Sequence, residues 1–146
     1  MGAADATEKA STGPKALVED FLRVKGADGR PHLVISRCDE CGCQAFPPRN
    51  RCASCGGQKQ SHIEAPGDGT LYTFTVVREL GKKREGFIPY ALGQVDLAED
   101  LRVMGILLAA PDSVSIGMRL RTALMPQGKD EDGNKLVGYA FAPIAD

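Results

Sequence analysis

Through most of the second half of the chain, apolar and polar positions alternate with a period near two. Residues 70–77 read Thr-Leu-Tyr-Thr-Phe-Thr-Val-Val behind a Gly67-Asp68-Gly69 turn. A run of β-branched and aromatic residues after such a turn predicts a strand. Similar text covers 90–97, 101–109, 118–125 and 137–141. Ala98-Glu99-Asp100 is short enough to make a hairpin of the second and third stretches. Loop 81–86 precedes that hairpin, and the polar loop 126–135 separates the last two strands. Five strands with no helical pattern between them predict a small barrel or sandwich. Closure is favoured, because an open sheet of five would leave two edges exposed.

Upstream the period changes. Leu17, Val18, Phe21, Leu22 and Val24 fall roughly on one helical face, opened by Pro14 and ended by Gly26 and the Ala27-Asp28-Gly29 turn. The spacing predicts a helix over 14–25. Three turns are marginal alone, so the apolar stripe is expected to dock on this chain or on a partner. Residues 1–13 are small and polar and read as a frayed terminus. Between 31 and 66 the apolar positions thin out to Leu33, Val34, Ile35, Phe46 and Ile63. A segment that small with so little core needs a metal or disulfides to hold together.

Charge and composition narrow the function. Lys and Arg number 18 and Asp and Glu 19, for a net charge of -1; aromatic residues make up 5%, with no tryptophan. That combination lacks both the cationic excess that grips phosphate backbones and the aromatic supply that stacks on bases. A single-stranded nucleic-acid-binding module is therefore the weaker reading. The longest apolar stretch, 105–111, is too short to cross a bilayer, and residues 1–11 carry no apolar run of the secretory kind. A soluble, cytoplasmic protein is expected.

All five cysteines sit between 38 and 55, four of them as two Cys-x-x-Cys pairs, Cys38/Cys41 and Cys52/Cys55, with ten residues between the pairs. In a cytosolic chain such pairs are better explained by metal than by disulfides. Each pair can turn two thiolates toward one point, and two pairs supply the four sulfurs of a tetrahedral site. Zinc is the expected metal, one per chain; iron of the rubredoxin type uses the same ligands and stays open, as does its consequence, an electron carrier. A redox dithiol would need one pair and an α/β context. Four protein thiolates leave no position for water or substrate, so the metal is read as structural. Cys43 lies too close to Cys41 to join a complete set and is read as a free thiol. Arg37, Arg49, Arg51 and Lys59 surround the cluster against Asp39 and Glu40, which reads as local charge compensation. The two histidines, His32 and His62, have no Ser, Asp or second His arranged for nucleophilic work and are read as surface or packing residues. No catalytic residue is assigned.

The order of these motifs resembles the DUF35 family, small proteins that join a rubredoxin-like zinc ribbon to an OB-fold. The matching text is Cys38-x-x-Cys41-Gly42, Phe46-Pro47-Pro48-Arg49 and Cys52-x-x-Cys55-Gly56. It continues with Gly67-x-Gly69 leading into Thr70 to Thr75, Pro89-Tyr90, Ile116-Gly117-Met118 and the closing Gly138 to Pro143. The resemblance implies a mainly β chain: a flexible N-terminus and docking helix over 1–30, a zinc ribbon over 31–66 and a five-stranded OB-fold barrel over 67–146. It implies a non-catalytic accessory subunit of a thiolase-type acyl-CoA enzyme, in a hetero-oligomer with the catalytic subunit. One setting in the family is a thiolase that cleaves an aromatic 3-oxoacyl-CoA in anaerobic degradation; thiolase-like aldolases and hot-dog hydratases are alternative partners. A coenzyme A ester held at the interface with the partner belongs to the same expectation. Lys82, Lys83 and Arg84, flanked by Gly81 and Gly86, are the cations that such a phosphate contact would use. Tyr72 and Phe74, alternating on one strand, are expected in the barrel core or against the partner.

Overall fold

Ten strands and one 3-10 turn at Pro111–Ser113 make up the regular structure among the described residues, which are 15–16, 20–78 and 89–144 of a computed structural model. In chain order the strands are β1 (Lys15–Ala16), β2 (Leu22–Arg23), β3 (His32–Cys38), β4 (Gln44–Ala45) and β5 (Gln60–Glu64). There follow β6 (Asp68–Val77), β7 (Tyr90–Ala98), β8 (Leu101–Leu107), β9 (Arg119–Lys129) and β10 (Lys135–Pro143).

The last five strands close on themselves. β6 pairs antiparallel with β7, β7 with β8, and β9 with both β6 and β10. The ring is completed where β10 meets β8 in parallel, Phe141 opposite Leu107. The circular order β6-β7-β8-β10-β9 is that of a five-stranded OB barrel. Alternation makes the core: Ala91, Val95 and Leu97 of β7 and Leu101, Val103 and Leu107 of β8 are buried between less buried neighbours. The walls approach closely at Gly93 and Gly105, which face each other across β7 and β8. A Cβ at Gly93 would come within 2.7 Å of Leu71, and one at Gly105 within 2.7 Å of the Phe141 ring. Glycine there makes room for the large side chains that fill the barrel.

The second sheet is built on β3, which pairs antiparallel with β2, β4 and β5. From His32 to Ser36 every residue of β3 is buried, so both of its faces are covered. Leu33 and Ile35, fully buried, belong to the same hydrophobic cluster as Leu71, Leu120 and Phe141 of the barrel. One core therefore runs through both sheets. A chain of edge-to-face rings crosses the joint: Phe21–Phe46 at 5.8 Å, Phe46–Tyr139 at 5.4 Å and Tyr139–Phe141 at 5.9 Å.

The predicted helix over 14–25 is not formed. Lys15–Ala16 pairs in parallel with β10, and Leu22–Arg23 pairs with β3. The amide of Val34 donates to the Phe21 carbonyl at 2.8 Å. Residues 17–19, including Leu17 and Val18, lie outside the described residues. A short helix would satisfy its backbone only within itself, whereas an extended segment satisfies it on the edge of β3 and still buries Leu22. Of the two surroundings expected for Tyr72, the barrel core is not the one it takes. A bulge places both Leu71 and Thr73 against consecutive residues of β7, which leaves Tyr72 as the extra residue. Tyr72 is half exposed, while Phe74 packs on the core.

Candidate metal centre

Cys38 ends β3 and Cys41 follows in a turn whose amide approaches the Cys38 sulfur at 3.5 Å. Gly42, at φ 82°, lets the chain reverse so that its amide donates to the Cys38 carbonyl at 2.8 Å. The second pair repeats the construction. The amides of Ser54 and Cys55 donate to the Cys52 sulfur at 3.3 and 3.4 Å. Gly56, at φ 75°, returns its amide to the Cys52 carbonyl at 3.0 Å. The Gly57 amide donates to the Cys55 sulfur at 3.4 Å.

The two knuckles face each other. All four sulfurs lie within 4.8 Å of one another, with Cys38–Cys55 at 3.6 Å and Cys41–Cys52 at 3.5 Å. Sulfurs arranged tetrahedrally at about 2.3 Å from a metal are about 3.8 Å apart, so the donor set fits a four-coordinate ion. All five cysteines of the chain are unpaired thiols. Amide donation from Cys55 and Ser54 pulls the Cys52 thiol down to about 6. The Gly57 amide favours the Cys55 thiolate as well, but the neighbouring sulfurs of Cys38 and Cys41 outweigh it and push Cys55 up to about 12. Four thiolates at this spacing need a cation among them.

Cys43 stands outside the cluster; its thiol points to the Gln44 carbonyl at 3.8 Å, and burial raises its pKa. Of the charged neighbours, Asp39 accepts a hydrogen bond from the Ser61 hydroxyl at 2.6 Å. Lys82, Lys83 and Arg84 lie outside the described residues. His62 is exposed. His32 is buried with both ring nitrogens engaged, Nδ1 at 2.7 Å from the Ala65 carbonyl and Nε2 at 2.9 Å from Asp28 Oδ1.

On the barrel wall the Arg102 guanidinium lies 3.4 Å from the centre of the Tyr72 ring and is fixed there by Asp96, at 2.6 and 3.3 Å. This pairing was not visible in the sequence pattern; the bulge at Tyr72 creates it. Tyr72, Met104, Leu108 and Ile116 remain exposed despite their apolar surface, Ile116 the most at 66%. No helix of the described residues is long and apolar enough to cross a membrane.

Two family models match the chain. Residues 26–59 match the family described as the rubredoxin-like zinc ribbon domain of ChsH2, and residues 62–124 the family described as the C-terminal OB-fold domain of ChsH2. A DUF35 domain-containing scaffold protein of Methanocaldococcus jannaschii is 34% identical over 133 residues, 89% of this chain and 92% of that one. The benzoylsuccinyl-CoA thiolase subunit BbsA of Thauera aromatica is 33% identical over 121 residues, 81% of each chain. Among solved structures, the Ltp2-ChsH2(DUF35) aldolase superposes with a TM-score of 0.60 at 29% identity, covering 77% of this chain and 84% of that one.

Proposed function

The chain belongs to the DUF35 family of proteins that join a zinc ribbon to an OB-fold, and from that premise we propose that it is the non-catalytic accessory subunit of a thiolase-like acyl-CoA enzyme. The observation that carries the reading is the alignment, over four fifths of both chains, with a protein that is itself a subunit of a thiolase. The chemistry of the chain agrees with it. Cys38, Cys41, Cys52 and Cys55 would hold one structural zinc ion, which supplies a cross-link between the knuckles and no open coordination position. In this reading residues 31–66 are the zinc-binding unit and 67–146 the barrel. The catalytic subunit supplies the nucleophile and the acid–base groups.

The exposed apolar side chains Tyr72, Met104, Leu108 and Ile116 support contact with such a partner. Lys82, Lys83 and Arg84, three adjacent cations between glycines, are proposed to meet the phosphates of a coenzyme A ester held at the interface. The likeness to the Ltp2-ChsH2(DUF35) aldolase favours a second reading in which the partner is a thiolase-like aldolase. The proposed place of action is the cytoplasm.

Mild affinity purification of the tagged chain from its native cells, followed by native mass spectrometry, tests this. The expected result is a stoichiometric companion with the sequence of a thiolase or thiolase-like aldolase. Its acyl-CoA activity should fall when this chain is removed and return when it is added back. A companion fully active alone, or recovery of the chain with nucleic acid in place of an enzyme, overturns the reading. Replacing Lys82, Lys83 and Arg84 together by alanine should raise the KM for the coenzyme A ester while the metal content stays at one per chain.

A further inference from the structure

His32 opens β3 at the place where three other parts of the chain converge: the turn 26–30, the end of β5, and the link from β5 to β6. Its side chain is only 11% exposed. Both ring nitrogens face groups that accept. The Ala65 carbonyl lies 2.7 Å from Nδ1, and Asp28 Oδ1 lies 2.9 Å from Nε2. A carbonyl has no proton to give. Asp28 is held as a carboxylate by the Arg30 amide, at 2.9 Å, and by His32 itself, which together keep its pKa below the usual range. A neutral imidazole carries one N–H and would set a lone pair against one of the two acceptors; an imidazolium satisfies both.

The surrounding charges reach balance in the same state. Glu64, on β5, faces His32 and accepts from the Ala27 amide at 3.2 Å and from Arg23 of β2 at 3.0 Å. Arg30, in the turn, is paired with Asp68 of β6 at 2.9 Å. Three carboxylates (Asp28, Glu64 and Asp68) thus meet two guanidinium groups (Arg23 and Arg30), and a charged His32 supplies the third cation.

We propose that His32 acts as a doubly protonated latch that pins the 26–30 turn to the joint between β3 and the barrel, and that its deprotonation releases the turn. The latch is independent of the partner's identity. Burial opposes the charge on His32, yet the Ala65 carbonyl and the Asp28 carboxylate outweigh it, and its pKa stands above the ordinary imidazole value. A raised folded-state pKa gives a contribution fully present below the unfolded-state value and lost as pH climbs through the folded one. Asp28 and Glu64, both held low by backbone amides before any other cause, lose their contribution in the opposite direction, as pH falls through their folded-state values. The latch is therefore tightest in weakly acidic solution, between the carboxylate and imidazole ranges.

Long-range proton–nitrogen correlation spectra of the metal-loaded full chain read the state of the ring directly. At pH 6 both nitrogens of His32 should show the shifts of protonated imidazole. The titration midpoint should lie above that of N-acetylhistidine and should fall in Asp28→Asn. Amide exchange at Gly26 and Ala27 should accelerate, beyond its intrinsic pH dependence, as His32 titrates. A lone-pair-bearing nitrogen on His32 at pH 6 overturns the proposal. So does a midpoint that Asp28→Asn leaves unmoved, or a turn whose exchange ignores the titration. Asp28 is half exposed, so the variant has no core to disrupt.

Discussion

Between residues 39 and 59 only Cys52 is buried, whereas in β7 every second residue from Ala91 to Leu97 is. These two regions reach order by different means. The barrel is specified by many interchangeable apolar contacts, each modest and all cumulative. The knuckles have almost no apolar interior and rely on a few directed bonds: amides to sulfur, two left-handed glycines, and the metal that their donors fit. Damage should accordingly be graded in the barrel and abrupt in the knuckles. β3 mediates between them, since Leu33 and Ile35 sit in the barrel's own cluster while Cys38 ends the same strand as a metal donor.

The largest effect is expected from Cys52→Ser. It should abolish metal binding and strip amide protection from 39–59, with protection across β6 to β10 retained, because β3 stays packed on the barrel. Metal analysis together with hydrogen exchange distinguishes this from global unfolding, which would mean that the knuckles support the barrel. Leu33→Ala comes next. Emptying a fully buried site should cost about 2–5 kcal/mol in urea unfolding. Because the core is shared, one transition should persist with the metal still bound; two separate transitions would divide what the fold shows as one. Gly105→Ala places a methyl against the Phe141 ring and should cost about 1–3 kcal/mol. Arg102→Ala should be the mildest, leaving the unfolding midpoint nearly unchanged while loosening Tyr72, a change visible in the tyrosine ring resonances.

The barrel is legible in the sequence because a half-buried strand writes its period into the chain. Each of the stretches 70–77, 90–97, 101–109, 118–125 and 137–141 finds its strand, although β8 stops at Leu107, β9 starts at Arg119, and β9 runs on to Lys129, into the stretch read as a polar loop. The cysteine cluster is legible for another reason: the ligands come in adjacent pairs, so local spacing carries the geometry. What fails is the segment before β3. Five apolar positions at helical spacing cannot report that β3 offers an edge, since Leu22 and Arg23 meet that edge at Leu33 and His32, beyond the intervening turn. That Tyr72 faces outward is hidden similarly, because one bulged residue reverses the alternation that would place it inside. The His32 arrangement is half visible. Asp28 lies four residues away on the chain, but Ala65 arrives only through the pairing of β3 with β5.

The parallel contact of β8 with β10 has a consequence for the order in which the molecule is made. Antiparallel neighbours β6, β7 and β8 can zip together as they leave the ribosome, each beside the one before. The seat beside β8 is filled by Phe141 across from Leu107, so it stays empty until more than thirty further residues have been synthesised. Throughout that interval the nascent sheet carries a bare edge that includes the apolar strand Leu101–Leu107. Translation speed over 108–143 thus sets how long the growing chain is exposed to pairing with a stranger.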